Sequence, residues 1–265
     1  MNKYLLLIIF PTILFSFISD NHKKPQVPIP YGTGEYISYR VHYGFINAGE
    51  ALMQVDDKLY MINNKVCHKA SVVGSTTGPF DMAMRIRDSW ATYLDTINRI
   101  PLRAVRDIAE NKYRLREYTN YDYKNNQVTV EREGSTTPAI CYKVPTDVQD
   151  VVSGFFYLRN VDFSKKKFGD TISINAFLED RVYLFKVKYS GKEKLDTKLG
   201  DINCLRLNPV MEKNGLFESG NSIRFWISDD LNKIPIRIEA DMWVGKVAMD
   251  IKKYKNLRNP IKFED

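Results

Sequence analysis

The chain has little of what site chemistry usually draws on. Among 265 residues there are only three cysteines, Cys67, Cys141 and Cys204, and three histidines, His22, His42 and His68. An odd number of thiols excludes a disulfide framework, although one bridge stays open. None has Cys-x-x-Cys spacing or a histidine at ligand spacing, so a zinc site is not expected and the thiols read as small buried side chains. His-Glu-x-x-His, Gly-x-Ser-x-Gly, Gly-x-x-x-x-Gly-Lys and Gly-x-Gly-x-x-Gly are all missing, which removes the signatures of zinc peptidases, serine hydrolases, phosphate-cradling loops and dinucleotide binders. No catalytic residue, metal or cofactor is expected. The small-residue stretch Gly74-Ser75-Thr76-Thr77-Gly78 reads as a strand connection.

Long apolar runs are lacking too, except one. Tyr4 to Phe17 follows the single Lys3 and precedes Ser19, Asp20 and the polar Asn21-His22-Lys23-Lys24. It is shorter than the ~20 residues of a membrane span and has the charged, apolar, small-residue order of a secretory signal. Residues 1–19 are therefore read as a signal peptide, cut near Ser19 with Ser16 the alternative. Residues 20–32, with Pro25, Pro28 and Pro30, are read as an extended leader. No cysteine stands at the end of the run to take a lipid, and the processed chain is not expected to be an integral membrane protein.

What is present is ordinary in amount and particular in arrangement. Hydrophobic residues at 44% and charged residues at 27% fit a folded soluble chain, long enough to bury a core without staples. Sixteen Tyr, fourteen Phe and three Trp sit largely in alternating runs, which points to β structure. The net charge of +7 permits an anionic partner without demanding one. It is too dispersed for nucleic acid.

An internal repeat carries the architecture. Asn98-Arg99-Ile100-Pro101-Leu102-Arg103 recurs 134 residues later as Asn232-Lys233-Ile234-Pro235-Ile236-Arg237. At the same offset Asp95 meets Asp229, Asp107 meets Asp241 and Lys112 meets Lys246. With small shifts, Trp90 falls opposite Trp226, Cys67 opposite Cys204, and Gly78 and Phe80 opposite Gly215 and Phe217. Further upstream Tyr39-Arg40-Val41-His42-Tyr43 resembles Phe185-Lys186-Val187-Lys188-Tyr189. The series points to a duplication spanning about 35–123 and 181–255 within one domain, 33–258.

Both copies alternate with period two. Ile37, Tyr39, Val41 and Tyr43 share one strand face, as do Tyr183, Phe185, Val187 and Tyr189. Tyr113–Tyr123 and Val128–Arg132 make a hairpin about Lys124-Asn125-Asn126. After Pro145, Val148, Val151, Val152, Phe155 and Phe156 have helical spacing, predicting one amphipathic helix over about 147–159, capped by Thr146 or Asp147. A short helical turn is expected around Phe80–Met84. The fold class is mainly β: an antiparallel curved sheet, barrel-like or sandwich-like, built from two related halves with the helix between them.

Candidate binding residues come from the copies' less apolar faces: Arg40 with Lys186, His42 with Lys188, and Lys69 with Arg206. If these faces converge inside a concave sheet they can hold phosphate or carboxylate; otherwise they form a solvated outer face. His68, on a face with Val66, Ala70 and Val72, reads as a core histidine, and His22 lies in the leader. Glu239 and Asp241 share a face and are the pair a glycosidase would need.

These residues resemble a known family. The opening Tyr39-Arg40-Val41-His42-Tyr43-Gly44-Phe45-Ile46-Asn47-Ala48-Gly49-Glu50-Ala51 is similar to the start of the exported domain of unknown function 3108 family of Bacteroidetes and other Gram-negative bacteria. Arg87-Asp88-Ser89-Trp90 through Asp95, Pro101-Leu102-Arg103, Arg106-Asp107, Gly154-Phe155-Phe156-Tyr157-Leu158-Arg159, and Trp226-Ile227-Ser228-Asp229-Asp230 through Glu239 continue the likeness over about 33–255. It implies a location in the periplasm or envelope, and brings no activity or catalytic residues. The expected function is non-catalytic binding of a hydrophobic or amphiphilic envelope component, or an envelope protein, on a concave aromatic-lined sheet. The alternatives are an envelope glycan hydrolase and a structural or assembly factor.

Overall fold

The computed structural model describes residues 28–210, 222–242 and 245–264. The predicted signal peptide, His22, Gly215, Phe217 and the leader before residue 28 lie outside the described residues. Two runs of strands make up the molecule. The first is β1 (Tyr36–Tyr43), β2 (Ile46–Ile62), β3 (Lys65–Thr76), β4 (Arg87–Asp95), β5 (Pro101–Glu110), β6 (Tyr113–Asp122), β7 (Gln127–Arg132) and β8 (Ile140–Lys143). The second is β9 (Thr171–Leu178), β10 (Arg181–Thr197), β11 (Gly200–Val210), β12 (Ile223–Ser228), β13 (Pro235–Asp241) and β14 (Lys246–Lys255), closed by the two-residue β15 (Phe263–Glu264). A short helix α1 (Gly78–Ala83) joins β3 to β4, and α2 (Val151–Arg159) joins the runs.

All strands form one antiparallel sheet in the order β8-β7-β6-β5-β4-β3-β2-β1-β14-β13-β12-β11-β10-β9, with β15 on β11. Each run is a meander of antiparallel neighbours, and the two-residue connections at β1–β2, β2–β3, β5–β6, β9–β10 and β10–β11 are tight turns that only antiparallel strands accept. The chemistry of those turns is local. Asn63 and Asn64 take positive φ between β2 and β3, and Arg99 and Lys233 do so at matching places before β5 and β13. The Asp95 carboxylate accepts from the backbone of Ile97 and Asn98, and Asp230 accepts from Asn232 and Lys233. The cap of the second turn is thus Asp230, whereas Asp229 pairs with Lys192.

The sheet curls until its outer edges approach. Gln149 donates to the Asn175 carbonyl and accepts from the Phe177 amide, both at 2.8 Å, so the segment after β8 runs along β9. Arg132 meets both carboxylate oxygens of Asp180 at 2.8 Å. The Tyr142 and Phe177 rings lie 5.4 Å apart. These contacts bring the edges together without a continuous ladder, which leaves the sheet open and barrel-like.

The predicted helix exists but starts later than its hydrophobic spacing suggested. Gln149 is engaged with β9, and Asp150 caps the helix by accepting from Val152 and Ser153 while Ser153 Oγ accepts from the Asp150 amide. Val148 therefore belongs to the connection and packs beside Tyr121, Val128 and Val130. Val152 and Phe156 of α2 pack against Ile37, Tyr39, Met53, Val55 and Ala70 from the sheet, and Leu158 against Leu205, Leu207 and Ile227. The hollow of the sheet is thus filled. Between α2 and β4–β6 about 20 Å3 remains, lined by Thr119, Tyr121 and Asp150, which is room for one water.

Packing starts before residue 33, since Tyr31, placed in the leader by its prolines, is 1% exposed against Phe156 and His68. No helix among the described residues is long and apolar enough to cross a membrane.

The cap is open to test. Asp150 is buried and also accepts from Thr92 Oγ1 at 2.7 Å. Asp150→Ala should cost about 2 kcal/mol in urea unfolding followed by Trp fluorescence, and Asp150→Asn, which keeps an acceptor, clearly less. Equal losses would show that the cap does not stabilise α2.

A candidate binding cavity on the outer face

The cross-strand register places a row of charges on the face of the sheet turned away from α2. Arg40 on β1 lies opposite Glu50 on β2 and Asp250 on β14, and Asp250 lies opposite Arg237 on β13. The signs alternate along the row, which suits neighbouring cross-strand positions. Partner choice then separates the members. Arg237 and His42 both engage Asp250, the latter at 2.9 Å, and Lys252 engages Glu50 at 2.8 Å. Arg40 is left to Asn47 Oδ1 and the Phe45 carbonyl, with no carboxylate partner among the described residues.

Over this row stands the β10–β11 turn, whose Asp196, Thr197 and Lys198 close one side of an open cavity of about 840 Å3. Ile236 and Ile251, both buried in the core, border its floor, and Asn47, Gly49 and Thr77 line the far side. Gly49 is required there because a Cβ would come within 2.4 Å of the Ser75 carbonyl oxygen. The lining carries four cations, Arg40, Lys198, Arg237 and Lys252, against three carboxylates, Glu50, Asp196 and Asp250. Burial raises the Asp250 carboxyl, but the bonds from Arg237 and His42 outweigh it and hold the group below the usual carboxylate range.

Of the six predicted binding residues, only Arg40 and His42 are brought to this place. Lys69 pairs with Asp56 and lies over the Tyr60 ring. Arg206 lies over Trp226 and pairs with Glu193. Lys186 and Lys188 are exposed, on the face of β10 opposite the buried Val187 and Tyr189, with Lys188 over Phe168. The expected convergence inside a concave sheet does not occur, because the helix and core side chains occupy that space. His42 has an oxygen at each ring nitrogen, Asp250 and the Gly44 carbonyl, so both nitrogens are engaged within the protein.

The remaining sequence candidates resolve similarly. His68 is 9% exposed with its ring against Tyr31, and burial together with Arg258 pushes its pKa down, as a core histidine requires. All three thiols are free. Cys67 and Cys204 are buried and pushed up to about 11 and about 12 by desolvation, whereas Cys141, read as buried, is exposed on edge strand β8. Glu239 and Asp241 do lie together, but Arg224 binds both, reaching Asp241 at 2.6 Å and Glu239 at 3.0 Å, and Lys246 adds a contact to Glu239 at 2.9 Å. Arg224 depresses the Asp241 carboxyl, the reverse of the raised acid a glycosidase needs. Sequence reasoning missed Asp250, Arg237 and Lys198, whose roles depend on register between strands distant in sequence. No group of His, Cys, Asp and Glu suited to a metal is gathered among the described residues.

Comparison with known proteins agrees with the fold. The family model described as protein of unknown function (DUF3108) matches residues 38–252. Among solved structures, the chain is similar to a beta-barrel-like protein of domain of unknown function DUF1849 from Brucella abortus, at 11% identity and a TM-score of 0.56, covering 85% of this chain and 98% of that one. A Bacteroides fragilis protein with a YmcC-like fold, whose name assigns it to export, aligns at 10% identity over 86% and 98% of the two chains, with a TM-score of only 0.37. No curated protein matches the sequence.

The charge row predicts a pH dependence. Because the folded pKa of Asp250 lies below its unfolded value, its stabilising contribution is present above about pH 4 and is lost as the pH falls through the lower, folded value. Asp250→Asn should therefore lower stability at neutral pH, and the gap to the unsubstituted protein should close in acid. Urea unfolding across that range measures it; a gap independent of pH would mean that Asp250 contributes by packing alone.

Proposed function

The chain belongs to the DUF3108 family, and on that footing we propose that it is an exported, non-catalytic binding protein of the Gram-negative periplasm or envelope that holds an amphiphilic component by an anionic head. The observation that carries the reading is Arg40. It lines a cavity of about 840 Å3, within the size range of small-molecule sites, and is the member of the charge row without a carboxylate partner among the described residues. Arg40 and Lys198 would take a phosphate or carboxylate at the cavity's charged lining. Export is supported by the order of Lys3, the Tyr4–Phe17 run and Ser19.

The filled hollow speaks against a carrier that encloses its ligand within the sheet. The pairing of Glu239 and Asp241 with Arg224 speaks against the glycan hydrolase. The two runs are read as copies of one unit: β1, β2 and β3 have 8, 17 and 12 residues, and β9, β10 and β11 have 8, 17 and 11. Matching the copies strand by strand sets β2 against β10, so the upstream likeness between Tyr39–Tyr43 and Phe185–Tyr189 joins strands of different rank. Arg40 then has no counterpart in Lys186, so the site, lined by residues of both copies, is not repeated.

Calorimetric titration with lysophosphatidylglycerol below its micelle concentration tests the reading. The unsubstituted protein should bind saturably, Arg40→Glu should weaken binding by about tenfold or more, and Lys69→Glu should leave it unchanged. Absence of saturable binding, or equal affinity in Arg40→Glu, would remove the cavity as the site.

A further inference from the structure

One end of the sheet exposes apolar side chains from neighbouring turns. Phe45, at the tip of the β1–β2 turn, is 90% exposed, and Met82 on α1 is 92% exposed. Met84 follows α1, and Tyr113 opens β6 beyond the β5–β6 turn; both are substantially exposed. These positions are held together by the backbone. The Thr77 amide donates to the Ala48 carbonyl at 3.0 Å, and the rings of Tyr43 and Phe80 lie 6.5 Å apart, which seats α1 beside the β1–β2 turn. The Arg85 amide donates to Asn111 Oδ1 at 2.9 Å and the Asn111 amide donates to the Arg85 carbonyl at 2.8 Å, which fixes the β5–β6 turn against the end of α1.

Cations flank the apolar tips. Arg85, Lys112 and Arg114 are exposed, and none has a carboxylate within ion-pair distance among the described residues, although Arg85 is near enough to Asp81 to help lower its carboxyl. Arg114 bonds instead to the carbonyls of Asn111 and Tyr113, at 2.9 and 2.7 Å, which holds its charge at the same rim. Nearby Asp81 is committed to Arg87 at 2.7 Å.

We propose that this rim is a docking surface for an anionic lipid bilayer, with Phe45 and Met82 entering the headgroup region and Arg85, Lys112 and Arg114 meeting lipid phosphates. The shape favours a bilayer over a protein partner. The apolar groups project singly from separate turns instead of lining a groove, and a fluid interface accepts such tips without a complementary surface. Apolar tips and unpaired cations together are the two attractions that interfacial binding combines. The inference is independent of the cavity reading, although Asn47 and Thr77 place the cavity mouth beside the rim.

The test places an environment-sensitive nitrobenzoxadiazole label at position 45 (Phe45→Cys) or at position 61 (Met61→Cys) in a Cys141→Ser background of the full chain. Position 61 is exposed at the opposite end of β2, so it controls for attachment through any other part of the chain. Vesicles of phosphatidylcholine mixed with phosphatidylglycerol should shift the emission of the label at 45 to the blue and leave that at 61 unmoved; phosphatidylcholine alone should shift it far less. Arg85→Ala and Lys112→Ala should each weaken vesicle binding by about fivefold. The proposal is overturned by an unshifted label at 45, by equal shifts at 45 and 61, or by binding that ignores both the anionic lipid and the cation substitutions. Any of these would leave the rim to a protein partner.

Discussion

The ion pair between Arg159 and Glu35 is the constraint to which the rest of the molecule is fitted. Both side chains are 0% exposed. The guanidinium at the end of α2 donates to both Glu35 oxygens at 2.6 and 2.9 Å, to the Pro30 carbonyl at 3.1 Å and to the Asn232 carbonyl at 2.9 Å. It also lies over the Tyr31 and Phe156 rings. One side chain thereby joins the segment before β1, the helix and the turn before β13. Asn232 extends the junction to the C-terminal segment through Asn259, and Arg258 reaches back to the Tyr31 carbonyl. A cation belongs at a helix C-terminus on dipole grounds. Here its desolvation is offset by a full set of acceptors, so loss of either partner would leave a buried charge alone.

From that junction follows where binding can occur. The pair pins α2 inside the curl of the sheet, and the helix excludes any ligand from the concave side. The neighbouring residue carries the junction into the first run as well, since Arg99 of the β4–β5 turn donates to Asn160 Oδ1 at 2.8 Å. Both positive-φ turns, at Arg99 and Lys233, are thus drawn to one end of the helix. The proposed binding surfaces accordingly lie outside: the charge row beneath the β10–β11 turn and the rim beside it. Arg40 matters because its neighbours have been claimed by others, an outcome decided by cross-strand geometry and not by composition.

The sequence was most informative where structure is local. Alternation at Ile37, Tyr39, Val41 and Tyr43 marked β1, and Asn125 and Asn126 marked the β6–β7 turn, because side-chain period and turn chemistry are properties of a few residues. The start of α2 was missed since Val148 satisfies helical spacing equally well, and only the distant β9 claims the backbone beside it. Which strand face lies inside was not legible either: a polar alternation such as Arg40, His42 says that one face is polar, but the side on which the sheet closes is set by α2. The Arg159–Glu35 pair joins residues 124 apart in sequence, so no local pattern announces it.

A double-mutant cycle on this pair tests the account most directly. Glu35→Leu and Arg159→Met alone should each destabilise by about 3–5 kcal/mol in chemical unfolding, because each strands the other charge in the core, whereas the double substitution should recover most of that loss. Single losses under about 1 kcal/mol, or losses that simply add in the double variant, would contradict the claim that this buried pair governs the fold.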